Sequence, residues 1–345
     1  MPTNVCRYSS SASSCASAST MAIITDAPTV QEMLYRVREI NHMDDAVRQS
    51  LLEFRVDGLA LGKVTPATAQ LLTNVPVAPP VFCIQNDNKN DENNDSRSRS
   101  SSSSYLTLDP SVGSTATDRT AAVATVTEYL RDDGRVRGWR DELFPVAASF
   151  YQEPCFLMER AAVPLLGVLE YGVHINGVVV DTEGETKMWM ARRSATKSKY
   201  PGMLDHIVAG GQPAGMSLMD NVVKECLEEA GIPETITRSG IQAVGAISYE
   251  THQPTKDTVT RAVMFCFDLH LPADFQPTPV DGEVQDFFLW DMRQIIESMP
   301  REYPDPIKPN CYSVIVDFLV RKGFVSPDTP GYLDILRELR SGDCC

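Results

Sequence analysis

The sequence predicts a layered α/β (α+β) fold in two units: a smaller α+β N-terminal unit, then a larger one whose mixed sheet lies between helices. Three observations carry this expectation. Segments with period-two alternation and many β-branched residues, such as GVHINGVVV (172–180) and KMWMARRS (187–194), are interleaved with segments of helical apolar spacing, such as VQEMLYRVREINHM (30–43). The polar run QNDNKNDENNDSRSRSSSSS (85–104) is too hydrophilic to bury and reads as an insert within the first unit. The 345 residues suffice for about two domains of ~150 residues each.

Taken in order, residues 1–22 are rich in Ser and Ala and hold one Arg and no acid. That suits either an organellar transit peptide or a tail ahead of a start at Met21, so residues 1–25 are set apart. The N-terminal unit is expected over 26–155. It opens with a helix carrying Met33, Leu34, Val37 and Ile40 on one face, and has strands at 81–84 and 105–109. A helix at 118–132 is expected to be capped by Asp118. The second unit, expected over 156–335, begins with the hairpin 172–194 turned around DTEGE. It continues with strands near 243–251, 262–271 and 287–292, and closes with helices near 292–299 and 311–323; residues 336–345 read as a tail.

The balance of 31 basic to 46 acidic residues, −15 overall, argues against nucleic acid or an anionic membrane surface as a partner. No window approaches a membrane-spanning apolar run. Nine scattered cysteines form no CxxC and no zinc-like pairing with histidine, which points to reduced thiols in a reducing compartment, cytoplasmic or organellar. The terminal Cys344–Cys345 pair lacks the four-residue lipidation pattern.

Chemistry concentrates in HIVAGGQPAGMSLMDNVVKECLEEAGIP (206–233). A strand-like HIV enters a glycine-rich loop, Ala209–Gly215; Ser217 with Asp220 signals a helix start, and Gly231 with Pro233 its stop. At 100° per residue, with Glu225 at zero, Glu228 falls at about 300° and Glu229 at about 40°, so three carboxylates share an arc of about 100°. Met219, Val222, Val223, Cys226, Leu227 and Ala230 fill the arc expected to be buried, leaving the three acids on the opposite face. Clustered carboxylate oxygens suit Mg²⁺ or Mn²⁺, and a glycine loop beside them leaves backbone groups accessible.

This stretch resembles the Nudix box, G-x5-E-x7-R-E-U-x-E-E-x-G-U with U aliphatic, aligned on Gly210, Met216, Lys224, Glu225, Cys226, Glu228, Glu229, Gly231 and Ile232. It departs at Met216, where the family usually has Glu, and at Lys224, where it has Arg. In typical members those two side chains steady the loop and the catalytic Glu. Further phrases, ARRSATKSKYPGMLDHIVAGG (191–211), MFCFDLHLPADFQP (264–277), DGEVQDFFLW (281–290) and KPNCYSVIVDFLVRKG (308–323), are similar to the Nudix branch associated with thiamine pyrophosphokinase, which carries the Met/Lys departures itself. FRVDGLALGKVTPATAQLL (54–72) resembles that branch's N-terminal accessory domain. The resemblance implies a Nudix fold and a metal-dependent pyrophosphatase that hydrolyses thiamine diphosphate, or its oxidised analogues, to monophosphate and phosphate.

Splitting a diphosphate requires neutralising phosphoryl charge and activating water, and divalent metals do both. On this reading Glu225, Glu228 and Glu229 are the catalytic acids and bind Mg²⁺ or Mn²⁺ together with the Ala209 carbonyl; Glu225 doubles as candidate general base. Glu283, in DGEV, matches the later loop acid that many Nudix enzymes add to the metal. Arg192, Arg193, Lys197 and Lys199, with Gly210 and Gly211, are the expected substrate contacts. His206 reads as a core residue, and His252 as a loop residue that either borders the substrate or is solvated. Trp189, Tyr200 and Trp290 either stack on a ring or fill the core. The expected partner is a small-molecule diphosphate, with no nucleic acid and no membrane. The accessory unit could complete the pocket, mediate a homodimer or shield an edge strand. Competing readings are a Nudix hydrolase of nucleoside diphosphate derivatives, an isopentenyl diphosphate isomerase-like enzyme, and a non-catalytic Nudix-like binding module.

Overall fold

The computed structural model describes residues 23–87 and 104–342. Most of the 1–25 tail, most of the 85–104 insert and the Cys344–Cys345 pair lie outside them. The first half runs α1 (Ala27–Ile40), α2 (Asp45–Ser50), β1 (Leu52–Val56), β2 (Leu59–Val64), α3 (Pro66–Thr73), β3 (Phe82–Asn86), β4 (Ser104–Leu108), α4 (Ala116–Asp132), β5 (Leu143–Val146), β6 (Phe156–Glu159) and α5 (Val163–Leu166). The second runs β7 (Leu169–Val180), β8 (Thr186–Arg193), β9 (Leu204–His206), β10 (Val208–Gly211), α6 (Leu218–Ala230), α7 (Glu234–Gly240), β11 (Ile241–Gln253), β12 (Thr258–His270), β13 (Val284–Asp291), α8 (Met292–Glu297), α9 (Pro309–Arg321) and α10 (Tyr332–Glu338).

Among the described residues, a four-stranded sheet has the order β2-β1-β4-β3, with β1 and β4 parallel. Its core is built on Phe54, Leu106, Leu130 and Phe156. The larger sheet has the order β11-β12-β7-β8-β13, with β10 added to β7 and β9 to β8; β7 and β12 run parallel. It is mixed and lies between helices. On one face Val173 and Ile175 of β7 meet Val222, Cys226 and Ala230 of α6. On the other, Met188 and Met190 of β8 meet α9 through Ile315 and Phe318.

Three features differ from the sequence reading. The helix α1 does form, but its Val30, Met33, Leu34 and Val37 join the core of α9 and α10 rather than that of the four-stranded sheet. Its helical period identified an apolar face without identifying what covers it. Helix α4 starts earlier than expected. Thr115 is the N-cap, and Asp118 is the reciprocal acid of a capping box, its carboxylate accepting from the Thr115 N–H. The tail expected from 336 is packed as far as Gly342: Leu339 is buried and its carbonyl accepts from the Ser248 N–H.

The two halves meet at a close seam. The Lys63 N–H donates to the Gly167 carbonyl at 3.2 Å. A Cβ on Gly167, whose φ is +52°, would lie 1.9 Å from the Lys63 carbonyl oxygen, so glycine is required there for both conformation and approach.

Candidate active site

Helix α6 forms because Ser217 accepts from the Asp220 N–H at 3.1 Å, and it ends because Gly231 adopts the left-handed conformation, with the Ile232 N–H returning to the Cys226 carbonyl at 3.0 Å. Its buried arc is centred differently from the predicted one. Asn221, Val222, Cys226, Glu229 and Ala230 are buried, whereas Leu227 is 52% exposed. Glu229 thus lies in the middle of the packed face at 8% exposure, because an N–H donor of β10 stands opposite: the Ala209 amide donates to Glu229 Oε2 at 3.0 Å. A Cβ on Gly210 would fall 2.4 Å from the Glu225 carboxyl carbon, so the bare backbone of β10 is what lets Glu225 lie against it.

The electrostatics follow from this packing. Burial pushes the Glu229 carboxyl well above its ordinary range, reinforced by the negative charge of Glu225 and opposed by the Ala209 N–H. Burial raises Glu225 too, against the pull of Lys224. The Lys224 ammonium bridges Glu225 at 3.2 Å and Glu228 at 2.8 Å. These two carboxylates outweigh its burial and hold it charged. Met216, at the position where an acid was expected, leaves the loop to other partners. Gln212 donates to the Met216 carbonyl at 2.7 Å, and Asn221 donates to the Gly211 carbonyl at 2.8 Å and to Gln212 Oε1 at 3.0 Å.

Glu225, Glu228 and Glu229 open onto a cleft of about 870 Å³ that Ala209, Gly210, Lys197, Lys199 and Glu283 also line. Glu283 is ion-paired with Lys197, which outweighs burial and keeps its carboxyl below the ordinary range. The segment ahead of the larger sheet contributes Arg140, Glu142 and Arg160. Arg160 donates to Glu142 at 2.8 Å, and its guanidinium would lie 2.9 Å from a Cβ on Gly211. The cleft therefore brings the three acids of α6 together with Arg140, Arg160, Lys197 and Lys199, a combination suited to a metal-held phosphoryl group.

Residues 32–170 match the model described as Domain of unknown function (DUF4743), and residues 170–309 match the NUDIX domain. The chain carries a Nudix domain. Over 227 residues it is 48% identical to "Nudix hydrolase 20, chloroplastic" and 46% identical to "Nudix hydrolase 24, chloroplastic", both of Arabidopsis thaliana, in each case across 66% of this chain. It spans 59% and 60% of those relatives' lengths. The NUDIX domain of Shewanella oneidensis NrtR, solved with ADP ribose, covers 44% of this chain and 87% of its own at 12% identity and a TM-score of 0.35.

Nudix hydrolases generally use divalent metal ions. The donor set here fits such an ion: it is all-oxygen, and the charge of the half-buried Glu225 acts against that of the buried Glu229 with one ammonium beside Glu225, a deficit that a hard cation would fill.

Not every cation expected at the substrate reaches the Nudix cleft. Arg192 is committed to Asp305 by two bonds of 2.6 Å and does not line it. Arg193 lines the cleft but is engaged by Asp205 at 2.6 Å and by the Lys199 and Tyr200 carbonyls. His252 lines the cleft and pairs with Asp257 at 3.0 Å; Tyr200 lines it as well. Trp189 is buried, and Trp290 packs edge-on against Tyr303. Sequence reasoning missed Arg140, Arg160, Glu170, Tyr249 and Lys308 in the cleft wall. Glu170 carried a signal, being a lone acid in the apolar run VPLLGVLEYGVHI.

His206 is core, as its strand-like setting suggested. Its Nδ1 lies 3.2 Å from His174 Nδ1, beside Asp205, which Arg193 and Lys308 contact at 2.6 and 3.2 Å and to which the Cys311 thiol donates at 2.7 Å. Burial lowers His206 to about 4 and also lowers His174. Against an unfolded value of about 6.5, a depressed histidine stabilises the fold fully above pH 6.5 and loses that contribution as pH falls toward 4. His206 alone is expected to lower unfolding free energy by about 2 kcal/mol between pH 7.5 and pH 5. Urea unfolding at both pH values, with His206→Gln showing a smaller drop than the wild type, checks it.

Proposed function

We propose that this chain is a divalent-metal-dependent hydrolase that splits the diphosphate of thiamine diphosphate, or of its oxidised analogues, into monophosphate and inorganic phosphate. The observation that carries the reading is the opening of Glu225, Glu228 and Glu229 onto the same cleft as Lys197, Lys199, Arg140 and Arg160. The thiamine-type substrate rests on the resemblance of residues 191–323 to the branch associated with thiamine pyrophosphokinase.

In this reading Glu225, Glu228, Glu229 and the Ala209 carbonyl hold Mg²⁺ or Mn²⁺, with Glu283 at the margin. The bound ion supplies Lewis acidity and a water of lowered pKa. Glu225, paired with Lys224, accepts the proton of the attacking water. Lys197, Lys199 and Arg160 neutralise charge on the transferred and leaving phosphoryl oxygens, and the amides around Gly210 and Gly211 lie alongside. Residues 26–155 act as an accessory unit that completes the cleft through Arg140 and Glu142. The acid-free residues 1–22 and the chloroplastic relatives favour an organellar location.

The test is incubation with Mg²⁺ and thiamine, oxothiamine and oxythiamine diphosphates beside ADP-ribose, measuring monophosphate and phosphate release. Turnover of a thiamine-type diphosphate is expected. Turnover of ADP-ribose alone would shift the reading to nucleoside diphosphate derivatives, and no turnover of any of them would leave a binding module.

A further inference from the structure

Among the described residues β10 pairs with β7 alone, and its other edge faces α6. Ala209 lies opposite His174 and Gly211 opposite Gly172, while the next residue, Gln212, donates its N–H to the Tyr171 carbonyl at 2.9 Å. Backbone polar groups alternate between the two edges of a strand, so those of Ala209 and Gly211 turn away from β7 and toward α6. The helix meets them with a stripe spaced four residues apart, Asn221, Glu225 and Glu229. Glu229 accepts from the Ala209 N–H at 3.0 Å, and Asn221 donates to the Gly211 carbonyl at 2.8 Å. Glu225 lies between them, against Gly210.

Chemistry fixes the direction of these bonds. A carbonyl oxygen only accepts, so the Asn221 group at Gly211 is its NH2, and the Gln212 group 2.7 Å from the Met216 carbonyl is an NH2 as well. That leaves Gln212 Oε1 to accept the second N–H of Asn221 at 3.0 Å. Three bonds thus join α6, the end of β10 and the turn to Met216, and both amides are buried, Asn221 at 0% and Gln212 at 3% exposure. The bond at 216 is to the main chain, so the Met216 side chain takes no part in it. Of the two ties between α6 and the edge of β10, one is made by a carboxylate, which a cation would attract. The other is made by an uncharged amide, whose bond does not compete with an ion.

We propose that Asn221 and Gln212 are positioning residues of the metal site, a neutral brace that holds the free edge of β10, and with it the Ala209 carbonyl, against the acids of α6. This rests on the metal-dependent reading of the cleft. Neither amide lines the cleft, so each acts through the backbone of 209–216 and not by touching ion or substrate. Removing the brace keeps every oxygen donor in the chain and loosens their spacing, while Lys197, Lys199 and Arg160 remain to bind the diphosphate.

The test is calorimetric binding of Mn²⁺, without substrate, to the wild type, Asn221→Leu, Gln212→Met and the double variant, with thermal melting as a check on folding. Asn221→Leu is nearly isosteric and lacks both donors. Its Kd for Mn²⁺ is expected to rise about 10-fold, and its kcat at saturating Mn²⁺ to fall about 10- to 100-fold, with KM for the diphosphate within about twofold of the wild type. Gln212→Met keeps the Asn221–Gly211 bond and should raise Kd about threefold, and the double variant should be no worse than Asn221→Leu, since the two amides act as a unit. A lower melting temperature with unchanged Mn²⁺ affinity would make the brace structural only and overturn the proposal, as would additive effects or a rise in KM alone. If Asn221→Leu does not fold, Gln212→Met decides, and an unchanged Kd there overturns it. Absence of Mn²⁺ binding by the wild type would overturn the brace together with the metal reading. The expected shifts in Kd without hydrolysis of any diphosphate would leave the brace standing and remove the hydrolase reading alone.

Discussion

Glu229→Gln is expected to lower kcat for Mg²⁺-dependent diphosphate hydrolysis by about 10³-fold or more, and in the same protein without metal to raise the melting temperature by about 2–4 °C. The two effects have one cause. Glu229 is held at 8% exposure beside Glu225; burial and the charge of Glu225 raise its carboxyl, and burial raises Glu225 as well. Glutamine is nearly isosteric and keeps an oxygen for the Ala209 N–H. It removes the charge whose desolvation opposes folding, a gain of about 1 kcal/mol, and with it the charge proposed to hold the ion. Glu228→Gln should give a smaller change in melting temperature, because Glu228 is half exposed and already paired with Lys224. Unaltered turnover in Glu229→Gln would remove the metal assignment. A fall of several degrees would make Glu229 a structural acid.

The difference between the predicted and observed faces of α6 shows how far local sequence reaches. The cap at Ser217, the stop at Gly231 and the spacing of the acids are properties of contiguous residues, and the helix forms where they place it. A helical wheel ranks positions by apolarity, so it exposed Glu229 and buried Leu227. It has no means of knowing that an unpaired amide of β10 faces position 229. The cations illustrate the same limit. Arg192 looked as suitable as Lys197, but its partner, Asp305, lies far along the chain. Arg140 and Arg160 enter the cleft from ahead of the larger sheet, where no local motif marks them as substrate contacts. The β1–β2 hairpin was legible in Asp57-Gly58, both of which adopt positive φ, yet the resemblance of 54–72 alone did not identify it as a hairpin. Local chemistry thus specified the helix with its acids, and contacts remote in sequence specified what those acids face.

Those remote contacts meet at Glu250, and Glu250→Ala is expected to destabilise the protein by about 3–5 kcal/mol, seen as a lower urea midpoint. The side chain is 2% exposed and receives Arg48 at 2.8 Å, Lys63 at 3.0 Å and Arg261 at 3.3 Å. Arg48 and Lys63 reach it from the N-terminal half and are partly solvated, so most of the loss comes from Arg261, itself buried, left facing an uncompensated site. Glu250→Gln keeps the shape and part of the hydrogen bonding and should cost less than half as much. The same hub fixes the end of the cleft. Two residues beyond it, His252 donates its N–H to the His42 carbonyl at 3.2 Å, and the adjacent turn is tied to α3 by Thr65 donating to Asp257 at 2.7 Å. Because His252 and Gln253 line the cleft wall, loosening this attachment enlarges the substrate's surroundings while leaving the acidic trio on α6 in place. KM for the diphosphate should therefore rise several-fold in Glu250→Gln with kcat nearly unchanged, the pattern of lost uniform binding. A fall in kcat at constant KM would mean that the seam acts on the reacting groups themselves, and an unchanged urea midpoint in Glu250→Ala would show that the three cations find other partners.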